Sequence, residues 1–313
     1  MFDLGGHLRW VATTTCLGCL VALSGCPDPA VTDTAPPVTG RSRGAAGATG
    51  TAASPATAPD APKLAAGEEQ LAPVSGKREL EPTITSFAAR MSNGMIDVLP
   101  AAQGTKPQIE WSVVESSTFG AAPASSLHLI LGRDAAGNPL LRDECAVALD
   151  KAPRLHLILL LPPTLPLDLN VQSGVLSIDS HATVKVDMQE GQLKLAGGFS
   201  GSTIKLTSGN VTGSQLLTQG EHDWQLEHAP TMLTISKGSS VKYDVTTDWG
   251  GVELWGLAGE AKKVKIGARG AGQVGAGQAQ LKIHAKVGSF KLLAEGQQGT
   301  KPSSDTEASK LTK

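Results

Sequence analysis

Aromatic residues are scarce in this chain: one tyrosine, five phenylalanines and five tryptophans in 313 residues. That excludes a large aromatic core, whereas 36 glycines suit tight turns between stacked aliphatic strands. Cysteine is scarce as well. Of the four, Cys16 and Cys19 lie in the N-terminal leader and Cys26 ends it, which leaves Cys145 as the one free thiol of the remainder. A single thiol excludes an internal disulfide, so the fold must hold without covalent staples. Cys145 has no helix start or clear base beside it and reads as a small apolar residue rather than a nucleophile. An excess of one charge is missing too, with a formal net charge of −2. A nucleic-acid partner is therefore not expected, because phosphate neutralisation needs a basic stripe.

What is present begins with an apolar run from Trp10 to Leu23, preceded by Arg9, with Asp3 further upstream. It is too short for a transmembrane span and suits an export leader. Its end, Leu23-Ser24-Gly25-Cys26, resembles the lipobox of bacterial lipoproteins. The resemblance implies removal of residues 1–25, acylation of the Cys26 thiol, and a membrane as partner through that lipid. Several acyl chains give stable rather than marginal anchoring. The expected location is the cell envelope, on the periplasmic face or the cell surface.

Residues 26–76 consist largely of Ala, Pro, Thr and Gly with few large apolar side chains. Such a stretch buries too little surface to offset its ordering entropy and is expected to be a disordered tether. The same holds for the polar tail, 298–313. Between them, 77–297 is long enough for one domain with its own core.

Within that body, apolar residues alternate in short runs, such as Ile109, Trp111 and Val113, or Leu127, Leu129 and Leu131. Period two bounded by Gly, Pro, Asn and Ser predicts strands, and no segment carries a helical stripe, so the class is all-β. A longer register is superimposed. Gly174, Gly191 and Gly209 are spaced by about one coil of a short-repeat solenoid. Leu169, Val186 and Ile204 precede them by the same interval, and Leu176, Leu193 and Val211 follow by the same interval. Gly94, Gly250 and Gly288 fit the pattern. The expected fold is a β-solenoid, a single-stranded β-helix-like stack of glycine-cornered coils, preferred over a β-sandwich whose hairpins share turn glycines. Outward slots support it, with Asp168 before Lys185 and Asp187 before Lys205 on successive coils.

Asn93-Gly94-Met95-Ile96-Asp97-Val98, Leu161-Pro162-Pro163, Ser173-Gly174-Val175-Leu176 and Ser208-Gly209-Asn210-Val211 together resemble the DUF4097 "putative adhesin" family. The resemblance spans about Pro82 to Leu292 and rests on small-residue glycine corners, a pattern that repeats can reach independently. It implies a β-helix-like stack in an envelope protein, with no catalytic residues to carry over. Two stretches depart from the register: Gly220 to Ile235, and the glycine-alanine segment after Ile266.

Other constellations have blander readings. Gly270-Ala271-Gly272-Gln273-Val274-Gly275 matches a dinucleotide fingerprint literally, but no helix follows to meet a pyrophosphate. Glu221, His222, Asp223, Glu227 and His228 form the densest ligand-capable cluster, yet their spacing suits a solvated loop better than a metal site. Ser200 lacks the setting of a nucleophile elbow. Lys262, Lys263, Lys265 and Arg269 read as a solvated basic edge, with contact to an anionic envelope polymer as the sharper reading. No catalytic residue, metal or cofactor is expected. The leading function is a non-enzymatic anchored surface for adhesion or scaffolding, with an envelope protein or glycan as partner and the oligomeric state open. The alternatives are a polysaccharide-active enzyme on the solenoid and a ligand- or metal-sensing lipoprotein using the region of His222 to His228.

Overall fold

The computed structural model describes residues 62–114, 122–145, 147–148, 150–263 and 266–296. Cys26, the leader, the tether as far as residue 61 and the tail from 297 onward lie outside the described residues.

Sixteen strands in one sheet system form the body. In chain order they are β1 (Glu69–Gln70), β2 (Ser75–Glu79), β3 (Phe87–Pro100), β4 (Gln108–Val114), β5 (Leu127–Arg133), β6 (Pro139–Cys145), β7 (Arg154–Leu161) and β8 (Leu167–Leu216). There follow β9 (Glu221–His228), β10 (Thr231–Ile235), β11 (Val241–Trp249), β12 (Val252–Trp255), β13 (Gly259–Lys263), β14 (Ala268–Val274), β15 (Ala279–Val287) and β16 (Phe290–Ala294). A 3-10 turn at Ala124–Ser126 is the one helical element among the described residues. Structured chain starts ahead of Lys77, since β1 pairs with β5 and β2 opens at Ser75.

β8 is a long extended run that winds as a solenoid, turning at Gly174, Gly191 and Gly209. At each turn φ is strongly positive, between +135° and +140°, a region that side chains with a Cβ rarely adopt. The residues five and three before these glycines, and those two after, point inward and are buried. Aliphatic side chains thus stack coil on coil, and each buried one contributes about 1.5–3 kcal/mol. No coil closes its own face; the neighbour above or below does so.

Spatial order departs from chain order at both ends. β3 lies between the β6–β7 coil and the first coil of β8, parallel to all three. At the other end, β9 and β10 pair with β8, and then the last coil of the described chain, β15 and β16, comes next. The earlier coil, β11 and β12, stacks outside it. Antiparallel strands close the ends: β5 and β1 beyond β6, β4 and β2 beyond β7, and β14 and β13 beyond β11. These terminal strands cover edges that would otherwise be open to pairing with another chain.

Both stretches expected to break the register are regular strands. Residues 221–235 form a complete coil in which Ala229 takes the glycine position, so only the sequence signal is lost. The backbone N–H of Ala229 donates to the carbonyl of Val287, and a Cβ on Gly288 would lie 2.9 Å from the Ala229 oxygen. The glycine-alanine segment is β14. There a Cβ on Gly270 or Gly272 would collide with the side chains of Val252 and Tyr243 respectively, so these glycines let the end strand press onto the outermost coil.

Candidate functional site

The corner glycines make a continuous feature on the surface. A Cβ on Gly174 would overlap the carbonyl of Gly94, one on Gly191 that of Gly174, and one on Gly209 that of Gly191. This edge is therefore a column of backbone stripped of side chains. Flanking side chains turn its N-terminal part into a groove of about 460 Å³, lined by Gly94, Gly174, Gly191, Met95, Val114 and Val175 among others. Arg154, His156 and Glu190 supply its charged and polar rim. His156 Nε2 lies 3.1 Å from Asp97 Oδ2.

Farther along the same edge, the positions just before Gly250 and Gly288 carry the apolar side chains Trp249 and Val287. Trp249 is paired in register with Val287, and Val287 with His228. On the outer side, the β11–β14 ladder ends at Thr247 and Ala268, and Ile266 lies two residues beyond that end. Trp249, Ile266 and Val287 are 64%, 58% and 39% exposed. Trp249 and Val287 thus sit side by side in solvent, with Ile266 exposed at the adjoining end of β14, and contiguous apolar patches of this kind mark contact sites. The row sits towards the β13 end of the sheet order, whereas the chain comes in beside β1 at the opposite end. Sequence reasoning missed it because Trp249, Ile266 and Val287 are far apart in sequence and meet only through the order of coils.

The expected solvated loop around His222 is instead strand β9, and its side chains part to opposite faces. Glu221, Asp223 and His228 are exposed, while His222 is buried in the core beside Trp224. Trp224 Nε1 donates to Ser202 Oγ at 2.9 Å, and Ser202 Oγ lies 2.9 Å from His222 Nδ1. His222 Nε2 faces the Gln219 carbonyl at 3.2 Å and so must carry the proton. In the neutral ring Nδ1 is then the acceptor of the Ser202 hydroxyl. Burial holds the His222 pKa below its ordinary value, with the Gln219 hydrogen bond opposing. The Ser202–His222 pair is sealed inside and has no route to a substrate. No group of three or more His, Cys, Asp or Glu side chains able to hold a metal ion occurs among the described residues.

Several outward charges neutralise one another, although no ion pair joins Asp187 and Lys205 among the described residues. Asp168 is bracketed by Arg90 at 3.1 Å and Lys185 at 3.5 Å. Arg269 makes a two-pronged contact with Asp244, Lys262 pairs with Glu260, and Lys286 pairs with Glu227. Arg269 and Lys262 therefore belong to balanced pairs rather than to an unopposed basic patch; Lys265 lies outside the described residues. Ser200 accepts from the Gln219 amide at 3.4 Å. Gly270 to Val274 lie on antiparallel β14 and Gly275 opens the turn after it, with no helix behind them among the described residues. Cys145 is half-buried and unpaired with another cysteine.

These features define a class: an end-capped, glycine-cornered β-solenoid with a bare backbone edge and a row of exposed apolar groups along it. No protein-family model matches the chain, and no curated protein does. Among solved structures, it is similar to a "putative cell adhesion protein" from Clostridium sporogenes, at 13% identity and a TM-score of 0.35, over 72% of this chain and 100% of that one. A "putative adhesin" from Parabacteroides merdae is similar at 10% identity and a TM-score of 0.24, over 73% of this chain and 96% of that one.

Proposed function

We propose that this chain is a lipid-anchored envelope protein whose solenoid is a surface for adhesion or scaffolding rather than a catalyst. The observation that carries the reading is the exposed row of Trp249, Val287 and Ile266, at the end of the solenoid away from where the chain comes in. With β1 at one end of the strand order and the contact row towards the other, the body suits a molecule that holds something at a distance from a membrane. Indole and aliphatic groups supply large, rigid contact area to a protein or glycan partner at little entropic cost.

Two variants separate the halves of the reading. Cys26→Ala should shift the protein from the membrane to the soluble fraction of lysed cells. Trp249→Ala should leave fractionation unchanged but lower retention of an isolated envelope preparation on beads carrying the protein by about tenfold, in keeping with one central aromatic contact. A Cys26→Ala protein still in the membrane fraction would remove the anchor. Undiminished retention by Trp249→Ala would remove the row as the adhesive surface.

A further inference from the structure

We infer that the coil formed by β15 and β16 is an exchangeable closing element, and that the slot it fills accepts the same segment, residues 279–294, from a second copy of this chain. The role suggested, linking copies into a scaffold, rests on the proposed function; the exchange itself rests on topology alone.

The segment is last in the described sequence but internal in space. Residues Gln280–Val287 pair with Glu221–His228 on one side, and Ala279–Val287 with Val241–Trp249 on the other. Phe290–Ala294 pair with Thr231–Ile235, and Phe290–Leu293 with Val252–Trp255. Leu281, Ile283, Phe290 and Leu292 fill the core between the flanking coils. Take the segment away and two parallel edges face each other across the width of one coil, each with the register and the inward pattern that this segment matches. An edge pair of that kind is a specific acceptor for an extended strand.

A second copy satisfies the slot at no loss of contacts. The donated coil makes the same hydrogen bonds and the same core whether it comes from its own chain or from a neighbour. Its ladders run only to β9, β10, β11 and β12, so its departure breaks no other strand pair among the described residues. What decides between the two arrangements is the connection from β14 to β15. That connection folds back across the outgoing segment between β10 and β11. A Cβ on Gly275 would lie 2.9 Å from the Ser239 oxygen, Gln278 N–H donates to Ser240 Oγ at 3.2 Å, and Ala279 N–H donates to the Ser240 carbonyl at 2.7 Å. Gly275 and Gly277 have φ of +61° and +70°, the reversal needed to come back. Straightening residues 275–278 instead prolongs β14 outward and carries β15 away from its own body. Exchange would also make Val287 of the exposed row a neighbour's residue beside Trp249, so that the contact row is completed between copies.

Gln225 and His284 are directly opposed on β9 and β15, and both are exposed. The test uses the full chain with Cys16, Cys19, Cys26 and Cys145 replaced by alanine, carrying Gln225→Cys or His284→Cys. The two single variants are unfolded, mixed in equal amounts, refolded and oxidised. The expected result is a disulfide-linked heterodimer that neither variant gives alone, rising severalfold when Ala276 and Gly277 are deleted to prevent the return. The Gln225→Cys/His284→Cys double variant reports on the closed arrangement. An internal bond there, with no heterodimer from the mixed singles, overturns the exchange. No bond in the double variant overturns the β9–β15 register on which it stands. Since Cys26 is absent throughout, failure of the anchor does not bear on the outcome.

Discussion

The carbonyl oxygen of Gly174 occupies the space that a β-carbon on Gly191 would need. Gly191 also sits at φ +136°, so alanine there meets a backbone collision and a disfavoured conformation together. Gly191→Ala should lower unfolding free energy by about 2–4 kcal/mol, read from urea denaturation. Ala229 holds the equivalent place two coils farther on, beyond Gly209, with no positive φ. Ala229→Gly should cost only about 0.5–1 kcal/mol, through the entropy of the unfolded chain. Equal effects from the two substitutions would mean that the corner column is not the element that fixes coil spacing.

That pair also shows how much of the fold was legible. The inward slots around Gly174, Gly191 and Gly209 follow period two and need only local sequence, so the all-β class and the coil register could be read directly. At Ala229 the corner persists without its glycine, and the coil over 221–235 became invisible although its strands pair normally. The insertion of β15 between β9 and β11 left no local trace, because spatial order is set by which edges match and not by spacing along the chain. For the same reason the Trp249 row had to be seen in three dimensions. His222 was misleading in another way: its charged neighbours suggested a polar loop, while the alternation of His222, Trp224 and Leu226 is that of an ordinary inward-facing strand.

The buried ring of His222 makes stability depend on pH in a predictable direction. Its folded-state pKa lies below the ordinary 6.5, chiefly through burial, and that of His181 is depressed likewise. The unfolded chain therefore takes up protons first as pH falls. The contribution to stability is complete above about pH 6.5 and is lost as pH drops from there towards the depressed folded value. The urea midpoint should fall between pH 7.5 and pH 5. His222→Gln should remove part of that slope while lowering stability at pH 7.5 by about 1–3 kcal/mol, the cost of disturbing the Ser202–Trp224 network. A slope unchanged by this substitution would place the acid sensitivity elsewhere.

Asp143 shifts the other way. It is buried on β6, where its Oδ1 accepts from Ser92 N–H at 2.7 Å and from the Ser92 hydroxyl at 2.9 Å, holding the bend that leads to Gly94. Its Oδ2 is buried and meets no donor among the described residues. Burial raises the carboxyl pKa above 3.8, and the Ser92 hydrogen bonds only partly offset this. A raised folded pKa means that the native state gives up its proton less readily than the unfolded chain. Stability is therefore eroded as pH climbs from about 4 through the raised value, and the full penalty is present at neutrality. Asn keeps the acceptor for Ser92 and carries no charge. Asp143→Asn should accordingly be neutral or stabilising by about 1 kcal/mol at pH 7, with the advantage shrinking as pH falls to 4, close to the ordinary value of the unfolded carboxyl. Ser92→Ala should destabilise at both pH values, because it strips the hydroxyl that Oδ1 accepts from. Chemical denaturation of the three proteins at pH 4 and pH 7 decides the matter: a marked loss from Asp143→Asn at pH 7 would mean that the carboxylate charge itself holds the corner, and that Oδ2 has a cationic partner.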